Sequence, residues 1–313
     1  MTVVTWATFA LPDLLSSSEP HPAPSAKSST GSPSPSSTPA PSSEVDKALV
    51  FVIENRSPAQ IRTDAPRLTA LAAKYGEATH ALAPCGHPSQ PNYVCLSTGG
   101  KYVSSNKLKT LSQPDIWNNT VAAGRTMKVY ADRLPAAVKD RRKEVGQYVA
   151  RHVFTAPFVA TQEKADNFAR YTVDADTLTA KGGDIENGAL PNVGAIIPDN
   201  CHNAHDRCRS EGATQIGQAD DWIADRVELL QQGPDWKSGR LLIIVTADED
   251  DQEGVNDIPM IVIHPALKNY STDVSVDLYS VGGLLADVGH TPRLGKQRTA
   301  PDFAEAFGLT VSS

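Results

Sequence analysis

Residues 86–93 read Gly-His-Pro-Ser-Gln-Pro-Asn-Tyr, and their types and spacing suit nucleophilic and acid–base chemistry. Ser89 stands between Pro88 and Pro91. The backbone before it is held extended, and a helical turn begins after it with proline at an early position. Ser89 is therefore predicted to be a hydroxyl at a helix N-terminus. Unpaired N–H groups and the positive end of the helix dipole suit a phosphate or other oxyanion there, and they favour loss of the serine proton. His87, two residues upstream, is placed to act as an acid or base. Taken alone, this is also the pattern of an ordinary serine beside proline at a helix start. Groups far away in the chain change that reading.

Three apolar runs end in clusters of possible ligands. Residues 48–53, Ala-Leu-Val-Phe-Val-Ile, lead into Glu54-Asn55. Residues 193–197 lead into Pro-Asp-Asn-Cys-His-Asn-Ala-His-Asp, which places Asp199, His202, His205 and Asp206 within eight residues. Residues 240–245, the strongest apolar run, lead into Asp248-Glu249-Asp250-Asp251. Runs of this kind are strands of a parallel sheet buried on both faces, and ligands gather at the carboxyl ends of such strands. Clustered carboxylates suit a hard divalent cation, and imidazoles widen the choice of metal. Any one cluster is equally a solvated loop; the coincidence of three along one rim carries the argument.

The elements that must position these groups are also readable. Helical spacing spans 63–75, through Leu68, Leu71, Ala72 and Tyr75, and stops at Gly76. Further helices are expected over 114–123, over 219–230 with Trp222, Ile223, Val227 and Leu230 inward, over 278–287, and over 302–307. Strands are expected over 126–130 and 258–264. The mixed polar stretch 134–180, which contains His152, reads as a cap or side insertion. Strands alternating with helices imply an α/β fold with a largely parallel central sheet and helices on both faces.

Residues 16–43 are almost all Ser, Pro, Ala, Thr or Gly, with too little apolar surface to offset the cost of ordering. The expected organisation is a disordered tether over 1–45, followed by one catalytic domain over 46–313. The formal charge of −7 and a pI near 5.6, without a dense Lys/Arg stripe, argue against a nucleic-acid backbone as the main partner. Arg141-Arg142-Lys143 reads as a solvated helix face. No apolar run is long enough to span a membrane. Residues 1–15 make a poor signal peptide as written, though a remnant of an export signal is compatible with the Ser/Pro tether that follows. Cys85 and Cys95 flank Ser89, and Cys201 and Cys208 flank the His-rich turn. Two local disulfides are expected, hence a secreted or cell-surface setting; a zinc site competes but lacks C-x-x-C spacing.

Four motifs in order, Glu-Asn-x-Ser at 54–57, His-Pro-Ser-x-Pro-Asn-Tyr at 87–93, Pro-Asp-Asn-Cys-x-x-x-His-Asp at 198–206 and Asp-Glu-Asp at 248–250, are similar to those of the phosphoesterase family of acid phosphatases and bacterial phospholipases C, within the alkaline phosphatase superfamily. The resemblance covers about residues 48–295. It implies a three-layer α/β/α sandwich and hydrolysis of small-molecule phosphate esters through a metal-assisted phosphoserine. By that similarity Ser89 takes the nucleophile position, Glu54, Asp199, His205, Asp248 and Glu249 fall at metal-ligand positions, and Asn55 and His87 fall where phosphate or leaving-group contacts would be. His152 sits in a family-like Tyr-x-x-Arg-His. One departure stands out: where the family reads His-Tyr-Ser-Leu-Leu-Arg-Thr, this chain has Leu278 in place of the histidine, and the arginine is gone. That departure supports an alternative, a non-catalytic phosphate- or cation-binding protein on the same fold.

Overall fold

The computed structural model describes residues 42–208, 214–252 and 254–313. The expected tether and export-signal remnant lie almost wholly outside these residues. Twelve strands occur among them: β1 (Glu44–Val45), β2 (Lys47–Ile53), β3 (Gly76–Ala78), β4 (Ala81–Leu82), β5 (Met127–Ala131), β6 (Thr172–Asp174), β7 (Val193–Ile197), β8 (Leu241–Ala247), β9 (Met260–Ile263), β10 (Tyr270–Thr272), β11 (Val276–Asp277) and β12 (Thr310–Val311). Eight form the central sheet in the order β10-β3-β9-β8-β2-β7-β5-β6. The apolar runs β8, β2 and β7 lie side by side at its centre, where each is buried on both faces.

All pairings in this sheet are parallel except those of β9, which is antiparallel to both β8 and β3. The connection from β8 to β9 is the acidic stretch 248–259, which forms no helix among its described residues, so the chain turns straight back. Helices cover both faces, and α5 (Gln162–Tyr171), α6 (Asp176–Thr179), α8 (Pro234–Lys237) and α10 (Phe303–Ala306) accompany the two groups that follow. One group is α1 (Pro58–Asp64), α2 (Pro66–Lys74) and the long α7 (Gln215–Gln232), whose Trp222 stands edge-on to Phe51 of β2. The other is α3 (Ser89–Thr98), α4 (Ile116–Ala122) and α9 (Leu278–Val288). This is the expected three-layer α/β/α architecture.

Several local expectations need correction. The helix expected over 63–75 is two helices, because Pro66 cannot continue α1 and instead opens α2, with Ala65 capping both. Gly76 does not simply stop a helix; it begins β3. The stretch 134–180 is not a detached cap: it buries Phe154, Phe158 and Phe168 and supplies β6, the sheet's edge strand. The folded body also starts slightly earlier than residue 46, since Glu44 and Val45 pair with Thr310 and Val311.

Gly282 explains part of the unusual C-terminal motif. A Cβ there would meet the Leu96 carbonyl oxygen at 2.2 Å, so only glycine lets α9 lie this close to α3, the helix that carries Ser89. Both expected disulfides form, Cys85–Cys95 and Cys201–Cys208, which is consistent with an extracytoplasmic location. Among the described residues no helix is long and apolar enough to cross a membrane.

Candidate active site

Adjacent strand ends assemble the carboxylates. Ile53 of β2 pairs with Ala247 of β8, so Glu54 and Asp248 leave the sheet beside each other. Asn55 then adopts φ 52°, a left-handed conformation that asparagine tolerates better than most residues. This turn aims its backbone N–H at Asp248 Oδ1, 3.1 Å away, and its side-chain amide at Glu249 Oε1, 2.5 Å away. Ser89 is the first residue of α3, after Pro88 in extended conformation, as its flanking prolines predict. Its hydroxyl donates to Glu54 Oε2 at 2.9 Å and approaches Glu249 Oε1 at 3.3 Å. Ser89, Glu54, Asn55, Asp248 and Glu249 therefore meet in one place, contributed by β2, β8 and α3.

Electrostatics make this cluster costly without a cation. Glu54, Asp248 and Glu249 are at most 2% exposed. Burial raises the affinity of Glu54 for its proton, and the charge of Glu249 adds to this, against hydrogen bonds from Tyr93 and Ser89. Burial, followed by the charges of Glu54 and Glu249, pushes Asp248 well above the usual carboxylate range. Asp248 Oδ2 has no hydrogen-bond partner among the described residues. An all-oxygen set of crowded acids with an orphaned buried oxygen fits a hard divalent cation, whose charge would reverse the cost of keeping them ionised.

A ring of supporting groups surrounds the cluster. Tyr93 lies four residues after Ser89, hence on the same face of α3, and its hydroxyl donates to Glu54 Oε1. Its ring stacks on His152 at 5.3 Å and 7°. His152 Nε2 stands 3.3 Å from Glu54 Oε2; burial, then the positive Arg151, holds this imidazole well below its ordinary pKa, so it is neutral. His87, on the open side, faces Glu249 Oε2 at 2.9 Å and Asp250 Oδ1 at 3.1 Å. Asp250 in turn accepts from the backbone N–H groups of Gln252 and Asn256, so the acidic loop is folded around it.

Asp199 and His205 lie on the neighbouring loop with other partners. Asp199 Oδ1 accepts from the N–H groups of Cys201 and His202, and Asp199 Oδ2 faces Arg133 Nε at 2.9 Å. His205 is exposed and pairs with Asp206 at 2.7 Å. Its charge acts on Glu54 and His152, but no hydrogen bond joins it to the carboxylate cluster among the described residues. The imidazole that meets Asp199 is His202, whose Nδ1 lies 3.0 Å from Asp199 Oδ1 and 2.6 Å from Asp132 Oδ2. These three side chains bring ligand atoms within 4.8 Å of one another, yet the protonated imidazole and Arg133 already supply positive charge.

Burial opposes the charge on His202, but hydrogen bonds to Asp132 and Asp199 outweigh it and raise the pKa to about 9. A raised imidazole pKa stabilises the fold fully below the unfolded value and ceases to do so as pH climbs through the folded one. His202→Gln is therefore expected to destabilise the protein by about 1–2 kcal/mol near pH 6, after discounting for solvent screening, and by much less above pH ~9.5. Urea melts at the two pH values check this, and an equal loss at both would refute it.

Leu278 opens α9 in apolar packing at 2% exposure and brings no polar atom to the cluster. Neither nearby histidine replaces the missing one. His264 is buried, which holds it down to about 4, and its Nδ1 accepts from the Ala266 N–H at 3.2 Å; His290 Nε2 meets the Ser312 carbonyl at 3.2 Å.

Comparison with known proteins adds the family. The chain is 27% identical over 267 residues to phosphatidylinositol-3-phosphatase of Mycobacterium tuberculosis, covering 83% of this chain and 82% of that protein. It is 26% identical over 225 residues to a probable acid phosphatase of Kluyveromyces lactis, covering 67% of this chain and half of the yeast protein. Among solved structures, the PsFucS1 sulfatase from Pseudoalteromonas sp. aligns with a TM-score of 0.50 at 10% identity, covering 85% of this chain and 70% of that one, a likeness of fold alone. The Phosphoesterase family model matches residues 59–272, about two thirds of the sequence; the chain belongs to the Phosphoesterase family and is a phosphoric ester hydrolase.

Proposed function

We propose that this hydrolase cleaves phosphate esters through a phosphoserine on Ser89, in the manner of an acid phosphatase or phospholipase C, outside the cytosol. One observation carries the reading: the Ser89 hydroxyl lies 2.9 Å and 3.3 Å from carboxylates that arrive from two different strands. A divalent cation held by Glu54, Asp248 and Glu249, with Ser89 beside it, would supply Lewis-acid stabilisation of the phosphoryl charge.

The chain's own groups account for the remaining steps. The serine proton leaves along its hydrogen bond to Glu54 Oε2. Ser89 Oγ attacks phosphorus in line, the ester P–O bond breaks, and His87 protonates the departing alkoxide from the open side. The Asn55 amide and the Ser89 N–H donate to the equatorial oxygens, a type of contact worth about 3–4 kcal/mol each when removed. Water then attacks the phosphoserine with His87 taking its proton, the Ser89 Oγ–P bond breaks, and Glu54 returns its proton to the serine oxygen as phosphate leaves. Tyr93 and neutral His152 keep Glu54 in place.

The names of both relatives, each a phosphatase, support a monoester as substrate, and the two disulfides support secretion or display at the cell surface. The reading is tested with p-nitrophenyl phosphate, a phospholipid and a nucleotide, each assayed with and without chelator. Chelation is expected to cut turnover at least ~100-fold, with recovery on adding back one divalent ion, because several kcal/mol of charge stabilisation go with the metal. Full activity in chelator would overturn the metal-assisted mechanism.

A further inference from the structure

Two segments bond to elements that carry the candidate site, and both are basic. Residues 101–113 carry three lysines and no acid; residues 133–151 carry six Lys/Arg against Asp140 and Glu144. Together they hold a formal charge of +7 in a chain of −7, which leaves −14 on everything else. So strong a segregation makes one face of an acidic protein attractive to anions.

The structure joins these segments to each other and to the site. Arg142 Nη2 donates to Thr110 Oγ1 at 3.0 Å, and both segments rest on the same stretch, through Arg142 Nε to the Ala156 carbonyl and the Leu111 N–H to the Pro157 carbonyl. The first reaches the nucleophile helix, where the Gln90 N–H donates to Asn106 Oδ1 at 3.0 Å. The second reaches the Asp199 loop, where the Asn200 N–H donates to the Gln147 carbonyl at 3.0 Å. One continuous rim results, bordering Ser89 on one side and the histidine loop on the other.

Apolar side chains also stand out from this rim. Tyr102 is 50% exposed, Val138 47% and Val145 46%, interleaved with exposed Lys107, Lys109 and Lys139, while Lys101 Nζ bonds the Cys85 carbonyl and Lys143 pairs with Asp140. Arg141 and Arg142, expected to be a solvated face, instead bind backbone carbonyls and stiffen the second segment, so the lysines project from a braced loop. Exposed aromatic and aliphatic tips among lysines suit an interface where apolar groups enter the headgroup boundary while ammonium groups meet anionic lipids. A nucleic acid would reward the charge but leave the valines unused.

We propose that this rim docks the enzyme on an anionic lipid bilayer, with the carboxylate cluster facing the surface. The placement of the phosphoester rests on the function proposed above; the docking itself does not, since it requires no turnover. The bilayer would thus hold the reaction near its headgroups, and soluble esters would be cleaved without that benefit.

The full chain is sedimented with vesicles of phosphatidylcholine alone or with about one third phosphatidylserine. Binding to the anionic vesicles, little to the neutral ones, and release as salt rises from about 0.1 to 0.5 M are expected. Each basic residue near such a surface contributes about fivefold, so K107E/K109E/K139E is expected to weaken binding at least ~100-fold. Hydrolysis of p-nitrophenyl phosphate by this variant is expected to stay within about twofold, since the three lysines lie outside the reacting groups. Tyr102→Ser tests the apolar contribution, with an expected loss of about fivefold or more. Equal binding to neutral vesicles, an unaffected triple variant, or binding to RNA but not to vesicles would each overturn the proposal. Failure of all turnover with vesicle binding intact would instead strike the catalytic reading.

Discussion

Ser89→Ala is expected to lower turnover of p-nitrophenyl phosphate at least ~1000-fold, equivalent to about 4 kcal/mol of transition-state free energy, because the covalent step disappears with the oxygen. The residual rate is what the remaining donors achieve with water as nucleophile. The fold should survive. Ser89 opens α3 and its side chain caps no backbone group, so its removal costs only the contacts with Glu54 and Glu249. Glu54 keeps a donor in Tyr93, which limits the cost of the lost bond to about 1 kcal/mol. Circular dichroism and a melting curve matching the parent, together with the collapse in turnover, make the assignment. Retained activity would take Ser89 out of the mechanism and leave its contact with two carboxylates as a structural hydrogen bond.

The residues of this site differ in how readable they were from the sequence. Glu54, Asn55, Asp248 and Glu249 follow apolar runs that could only be central strands, so their place on one rim followed from topology. Ser89 was announced by its two prolines. Tyr93 and Asp250 close two of the four motifs, but the sequence assigns neither a role: each takes its part from a contact made only after folding, Tyr93 with Glu54 and Asp250 with His87. The choice between His202 and His205 depended on the path of a loop tied by Cys201–Cys208, and composition says nothing of that path. The direction of β9 was equally hidden, because apolar periodicity is the same whichever way a strand runs. Edge strand β6, Thr-Val-Asp, is too short and polar to announce itself.

Leu278 removes a histidine that the family pattern places near the carboxyl end, yet the chain retains imidazoles at the site on other elements. His87 sits on the open side, and His152 is buried against Glu54. Gly282 brings α9 against α3, and Leu278 at the start of α9 is buried in the apolar core. The C-terminal helix thus braces the nucleophile helix through packing. This is a stabilising role that leucine fills and histidine, buried without partners, would not.

Asp248→Asn is expected to act in opposite directions on stability and on catalysis, and that opposition identifies a metal site more surely than loss of activity does. In the metal-free protein, Asp248 is ionised at neutral pH only at a cost, since burial and the charges of Glu54 and Glu249 raise its pKa well above 3.8. Below the unfolded pKa both states are protonated and the cost vanishes. As pH rises from about 4 through the folded pKa, the folded state holds more protons than the unfolded one, so stability falls with pH. The wild-type apoprotein should consequently melt higher at mildly acid than at neutral pH. The asparagine keeps the acceptor for the Asn55 N–H and removes the buried charge, so its apoprotein should melt above wild type at pH ~7.5, by the equivalent of about 1–3 kcal/mol. Divalent ions should raise the melting temperature of the wild type at that pH and leave the variant nearly unmoved, while turnover falls at least ~100-fold with the lost ligand. A less stable apo-variant, or one that still gains stability from the ion, would mean that these three acids are held together by something other than a cation.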